Sequence, residues 1–326
     1  MPARPSPLSP LARGPAARDP PRMLPTPAPG TPVLVVHGGS GTIAPENHAA
    51  AVAGTRAAAA AGQAILLAGG SCEDAAVAAV RVMEDDPAFN AGRGACMNRD
   101  GDFEHDAAIM RSRDLRSGAI AGVSAIRDAV LLARLVMEQT RHCLLIGAGA
   151  EAFGRTHGVG HFGRDEVWTA KAEAMYRGVL EGRAQADNRA DTVGALALDR
   201  EGHLCAASST GGVLHKLPGR VGDTPLCGSG FYAHPILGAC CTTGLGEAIL
   251  THVLAYEVLR RAADDPTDLS RLASDLCAEI SARSAGAAIG LIALRPDGAV
   301  ALAHASEHMS WGLAIGEGPP ESGLRR

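Results

Sequence analysis

Residues 191–199 read DTVGALALD, and SSTGG follows at 208–212. The run VGALAL is apolar and of strand length, with Asp191 and Thr192 at its mouth. The turn REG at 200–202 joins it to CAASST at 205–210, which predicts an antiparallel hairpin near the middle of the chain. Turn chemistry alone accounts for a threonine at a strand entrance. A threonine there is also a candidate nucleophile. The rest of the chain decides between the two readings.

Outward from the hairpin, VLVV at 33–36 reads as a short buried strand that stops at HGGSG, residues 37–41. An alanine-rich helix runs from Ala49 to Ala68 and ends at Gly69-Gly70. Ser71 starts the next helix, with Asp74 as its capping partner, and NAGRG at 90–94 is a glycine loop after Pro87. HDAAIM (105–110), GAIAGV (118–123) and CLLI (143–146) read as strands, with a helix through Met137 and a polar helix over 165–181. Past the loop LPGRVGDTPLCGSG (217–230) come the strand ACCTT (239–243), a long helix from Gly244, a further helix and a closing hairpin, GLIALRPDGAVALAH. Helices lie between antiparallel pairs without strict alternation, which predicts a layered α+β fold.

The chain has 326 residues, a net charge of −5 and only 3% aromatic residues, so its core is built from small and aliphatic side chains. No basic excess or cluster recommends a nucleic acid or a membrane surface as partner. The eight cysteines form no CxxC pair and most lie in apolar runs, which reads as free thiols in a reducing compartment. No HExxH or other close histidine pairing points to a transition metal. Residues 1–32 hold more than half of the prolines and no apolar stretch of signal or span length, which predicts a disordered tail, with Met23 a second candidate start. The expected location is cytoplasmic.

Three stretches carry candidate chemistry. LLIGAGAEA at 144–152 fits GxGxxA, but HGVGHFGRDEVW stands where a dinucleotide site needs a second strand ending in an acid. A tight strand-to-helix turn is the preferred reading. At TTGLGE, 242–247, a strand meets a helix; Thr243 is either an ordinary cap or, with the Gly244 N–H in the unpaired first turn, an oxyanion donor. In PGRVGDTP, Arg220 and Asp223 are either solvated or a grip on the carboxylate and ammonium of one amino acid.

Together HGGSG, FNAGRGA (89–95), GAIAGV, ARLVME (133–138), DTVGALALD, SSTGG, LPGRVGDTPLCGSG and TTGLGE resemble the plant-type asparaginases and isoaspartyl peptidases, a family of N-terminal nucleophile hydrolases. The matches run in the family's order over nearly everything from residue 33 onward. The resemblance implies a four-layer αββα sandwich whose precursor cuts itself between Asp191 and Thr192. It implies an alpha subunit over 33–191 and a beta subunit over 192–326, which associate further as a dimer of such pairs. Cutting there frees an α-amino group with a pKa of about 8, a base for the threonine hydroxyl that needs no histidine.

By position, the resemblance makes Thr192 the nucleophile and Thr210 its orienting hydroxyl, with Thr243 and the Gly244 N–H as the oxyanion hole. Arg220 would bind the substrate α-carboxylate and Asp223 its α-ammonium, with Gly246 also in the substrate site. Gly39 and Asn90 would support the nucleophile's surroundings. No cofactor is required; a structural sodium ion held by carbonyls around Glu84, Phe89 and Ala91 is a further implication. The implied substrates are L-asparagine and β-aspartyl dipeptides, small molecules.

The chain departs from the family's pattern in four places. Asp191 stands where many asparaginase-type members have glycine, as in the glycosylasparaginase and taspase branches. Arg111-Ser112 replaces an Asp-Gly, SAGAAIG carries alanines where small clearance is usual, and the connector before Asp191 is short. These leave glycosylasparaginase-like or taspase-like cleavage as an alternative, and an inactive amino-acid-binding homologue as a reading from another class.

Overall fold

The computed structural model describes residues 26–124, 126–183, 192–264 and 268–325. Its first half contains β1 (Val33–Gly41), α1 (His48–Leu67), α2 (Cys72–Asp85), β2 (Glu104–Arg111), β3 (Ser117–Ser124), α3 (Ala129–Gln139) and β4 (Leu144–Ile146). Helices α4 (Gly147–Thr156), α5 (Arg164–Val167) and α6 (Ala170–Leu180) follow. From Thr192 onward come β5 (Val193–Leu198), β6 (Leu204–Thr210), β7 (Phe231–His234) and β8 (Gly238–Gly244). Then follow α7 (Gly246–His252), α8 (Leu254–Asp264), α9 (Leu269–Arg283), β9 (Ile289–Leu294), β10 (Val300–His304), β11 (His308–Ile315) and β12 (Glu321–Gly323).

These strands form one sheet in the order β12-β11-β1-β5-β6-β2-β3-β4 and a second in the order β10-β9-β8-β7. The pairings are antiparallel except that of β3 with β4, which α3 connects. The expected mixture of helices and mainly antiparallel sheets is therefore observed. Strand faces separate the cores. Leu34 and Val36 of β1 join Ala195 and Ala197 of β5 in a cluster with α1, α2 and α3. Val33, Val35, Leu196 and Leu198 face the other way, onto Cys241, Ile292 and Leu294 of the second sheet. A third cluster joins Leu291 and Ala293 of β9 to α8 and α9. With both faces buried, the strands read as continuous apolar runs, as VLVV and VGALAL do.

Helix α1 is long and apolar enough by length and composition to cross a membrane. Its apolar face packs here on α2, β1 and β11, where the Thr55 hydroxyl donates to the Trp311 carbonyl at 3.0 Å. The Ser71 cap is as expected: its Oγ accepts from Asp74 N at 3.1 Å.

Several boundaries differ from expectation. β1 does not stop at His37; an irregularity between His37 and Ser40 absorbs Gly38 and Gly39, and pairing resumes at Ser40↔Met309 and Gly41↔His308. The polar helix over 165–181 is two pieces, α5 and α6. The long helix expected from Gly244 starts at Gly246 and breaks at Val253, which takes left-handed angles of φ 49 and ψ 47. The hairpin β9–β10 does not close the chain, because β11 returns to pair with β1. β4 runs directly into α4, the tight junction preferred for GAGAEA. The tail through residue 25 and the connector ending at Asp191 lie outside the described residues.

Candidate active site

Thr192 is buried immediately before β5. The β5–β6 hairpin pairs Val193 with Ser209, so one further step in register sets Thr192 across from Thr210. Thr210 ends β6, is paired on its other side with Asp106, and accepts a hydrogen bond from Gly212 N at 3.0 Å. The hydroxyl of Thr192 meets that of Thr224 at 3.2 Å, a partner that sequence reasoning did not single out. Asp191, the expected cleavage position, lies outside the described residues.

The glycine-rich end of β1 lies beside this threonine, since the last β1–β5 pair is His37↔Gly194. Gly39 has φ 110 in the irregularity that follows. The His37 ring packs on Gly194, where a β-carbon would be 2.3 Å from Nε2. Burial drives the pKa of His37 down to about 3, with the Thr192 backbone acting the other way, so the imidazole is neutral. Asn90 clamps the segment after Thr210: its Nδ2 donates to Gly212 O at 2.7 Å and its backbone carbonyl accepts from Gly211 N at 2.8 Å.

β8 crosses the hairpin from the second sheet, with the Cys241 thiol 3.5 Å from Ala207 O. Its Thr243 pairs with Gly290, and a β-carbon on Gly290 would be 2.8 Å from that of Ser40. Thr243 therefore stands at the same end of the sheets as Gly39, Ser40 and Thr192. Neither expected reading of the junction's local structure holds. Thr243 caps no helix; it is a buried strand residue, and the N-cap of α7 is Leu245. Gly244 is not in a first helical turn either, but ends β8 opposite Ile289. Its φ of 127 and the Ala288 carbonyl, 2.1 Å from where a β-carbon would be, make glycine necessary there.

Two residues on, Gly246 joins the strand end to the loop of Arg220 and Asp223. A β-carbon on Gly246 would be 2.7 Å from Arg220 Nη2 and 2.9 Å from Asp223 Oδ1. The guanidinium and the carboxylate thus share one bare patch of backbone. Asp223 is buried, and burial pushes its pKa up to about 7 against the Thr242 hydroxyl bond of 2.9 Å and the Arg220 charge. Arg220 also makes a two-pronged pair with Glu247, Nε to Oε1 at 2.9 Å and Nη2 to Oε2 at 2.8 Å. That pair lowers the pKa of Glu247, whose side chain is 62% exposed.

Glu247 and Lys216 are further groups that the sequence did not flag. The Lys216 ammonium is buried, 3.2 Å from the Arg220 carbonyl and 3.5 Å from Glu104. It lies along Gly212, where a β-carbon would be 2.9 Å from Nζ.

The loop of Glu84, Phe89 and Ala91 is closely packed against its own glycines, and the Ala91 carbonyl accepts from Gly94 N at 3.1 Å. β-carbons on Gly92 and Gly94 would collide with the Glu84 and Phe89 carbonyl oxygens at 2.2 and 1.7 Å. The Glu84 side chain is buried, accepts from Val130 N at 3.1 Å, and is pushed up to about 7 by that burial. Among the described residues no group of three His, Cys, Asp or Glu side chains is placed to hold a metal ion.

Residues 30–323 match the family described as Asparaginase. The chain is 41% identical over 287 residues to a Danio rerio protein named isoaspartyl peptidase/L-asparaginase, covering 87% of this chain and 92% of that one. A Bos taurus protein of the same name is 39% identical over 298 residues, covering 90% and 96%. An isoaspartyl peptidase of Escherichia coli strain K12 is 38% identical over 302 residues, covering 87% and 94%.

Proposed function

This chain belongs to the asparaginase family, and from that premise we propose that it hydrolyses β-aspartyl amide bonds through an acyl intermediate on Thr192. The substrates are L-asparagine and β-aspartyl dipeptides, the activities in the names of its relatives. One observation carries the reading: Arg220 and Asp223 meet at Gly246, two residues beyond Gly244 and three beyond Thr243, at the end of the sheets where Thr192 stands. An α-amino acid presents opposite charges on one carbon, and this pair matches both.

In the proposed reaction the chain first cuts itself between Asp191 and Thr192. The freed α-amino group takes the Thr192 hydroxyl proton as the oxygen attacks the substrate's side-chain carbonyl carbon. Thr210 orients the nucleophile, and the Thr243 hydroxyl and the Gly244 N–H hold the developing oxyanion. The α-amino proton passes to the departing ammonia or amine, and water then releases aspartate from Thr192. Gly39 and Asn90 keep the surrounding backbone in place.

The same reading includes the four-layer αββα sandwich, which the order of the three cores supports. It includes the subunits 33–191 and 192–326 and their association as a dimer of pairs. A cytoplasmic location accords with eight free cysteines. The reading also includes a structural sodium ion held by carbonyls of the loop of Glu84, Phe89 and Ala91, and the chemistry needs no other cofactor.

A substrate panel tests the reading. Purified, self-cleaved protein should turn over L-asparagine and β-aspartyl dipeptides and leave glycosylasparagine nearly untouched. Turnover of glycosylasparagine alone would move the chain to the other branch, and turnover of none would overturn the reading.

A further inference from the structure

The loop that reads the substrate's head group also reaches the nucleophile. Thr224 follows Asp223 directly, is buried, and brings its hydroxyl oxygen to 3.2 Å from that of Thr192. Its backbone is held from several sides. Pro225 restricts it to extended angles. The Ser208 hydroxyl of β6 donates to the Thr224 carbonyl at 3.4 Å. Gly230 lies so close that a β-carbon would be 2.7 Å from Thr224 Cα. This hydroxyl is fixed relative to the hairpin that carries Thr192.

We propose that Thr224 is a further catalytic residue, whose hydroxyl donates a hydrogen bond to Thr192 Oγ1 and fixes its attacking lone pair in self-cleavage and in hydrolysis. Chemistry assigns the direction. Thr192 must give its own proton to a base, so in the reactive arrangement that proton points away from Thr224, and Thr224 is the donor. In self-cleavage a bond forms from Oγ1 to the Asp191 carbonyl carbon and the bond from that carbon to the Thr192 nitrogen breaks. The Oγ1 proton ends on that nitrogen, and water opens the ester. In hydrolysis the Oγ1 proton goes to the freed α-amino group. Thr224 keeps its proton in both. A donor to Oγ1 also steadies the charge that develops as the proton leaves. The hydrolysis half of this proposal rests on the function proposed above; the self-cleavage half needs no substrate.

The test compares Thr224→Val and Thr224→Ser in the full chain. Self-cleavage half-time is read on a denaturing gel, and kcat and KM for L-asparagine are measured on matured protein, with melting temperature alongside. Valine keeps the shape and removes the donor, so both rates should fall roughly tenfold, the worth of one neutral hydrogen bond, with KM within about twofold. Serine keeps the hydroxyl and should restore both rates to within about twofold. If valine lowers the melting temperature, serine decides, because recovery of rate with the hydroxyl marks a chemical role. The proposal is overturned if the valine variant is as fast as the natural protein, if serine is as slow as valine, or if the loss lies wholly in KM. Thr224-dependent self-cleavage in a protein that ignores every β-aspartyl amide would sink the substrate reading and leave this one standing. A chain that never cuts itself would overturn both.

Discussion

Asp223 should make substrate recognition depend on pH in a way that one analogue isolates. Its carboxyl is buried and titrates near 7 in the free enzyme, against 3.8 in water. Holding it ionised above pH 7 therefore costs about 4 kcal/mol, roughly three units at 1.36 kcal/mol each. A bound α-ammonium offsets that cost, and only the ionised carboxylate receives it well. At pH 6 about one tenth of the free enzyme has Asp223 ionised. Succinamate, which lacks the α-amino group, has no use for that charge. The ratio of kcat/KM for asparagine over succinamate should level off above about pH 8, be about halved at pH 7, and fall toward tenfold per unit below about pH 6. Titration of the Thr192 α-amino group affects both substrates and cancels. A ratio that stays constant down to about pH 5 would refute the assignment of Asp223 to the ammonium.

The same carboxyl acts on stability with a definite sign. Its folded pKa lies above its unfolded value, so the folded state holds the proton more tightly. Stability is unpenalised below about pH 4, falls between about 4 and 7, and carries the full penalty above. Asp223→Asn should raise the melting temperature at pH 8, and the gain should vanish toward pH 4. Glu84 contributes a similar slope, so the variant is compared with the natural protein at each pH.

Three further outcomes are expected. Thr243→Val, measured on matured protein, should lower kcat roughly a hundredfold or more with little change in KM; an unchanged kcat would remove Thr243 from the oxyanion hole. Arg220→Lys should cut kcat/KM for asparagine by a factor equivalent to about 2–5 kcal/mol while self-cleavage continues, because lysine cannot reproduce the planar fork. Gly246→Ala places a methyl group 2.7 Å from Arg220 Nη2 and 2.9 Å from Asp223 Oδ1, so KM should rise sharply while the melting temperature changes little. Normal KM in that variant would show that the head group binds elsewhere.

Much of the fold was legible because strands buried on both faces read as apolar runs bounded by glycine, as at VLVV, VGALAL and GLIAL. β11 was not, because HMSWGLAI interleaves His308, Ser310 and Gly312 with its apolar residues, and all three are buried only through pairing with β1 and the approach of α1. The break between α7 and α8 was equally hidden, since Val253 is neither glycine nor proline. In the site, Arg220, Asp223 and Gly246 were visible as motif residues, and the structure adds what unites them. Thr224 and Glu247 stood inside quoted stretches but carried no reading of their own there. Their contacts arise from a loop folding back onto β8 and the hairpin, which no local spacing encodes. Lys216 gave no signal because the carboxylate it meets, Glu104, lies far off in sequence.

The central claim is that Thr192 becomes an N-terminal nucleophile, and intact mass of the active protein under denaturing conditions tests it most directly. The account predicts two chains, residues 1–191 and 192–326, the second beginning Thr-Val-Gly, and a single inactive chain in Thr192→Ala. A preparation that hydrolyses asparagine at full rate as one uncut chain of 326 residues would contradict it.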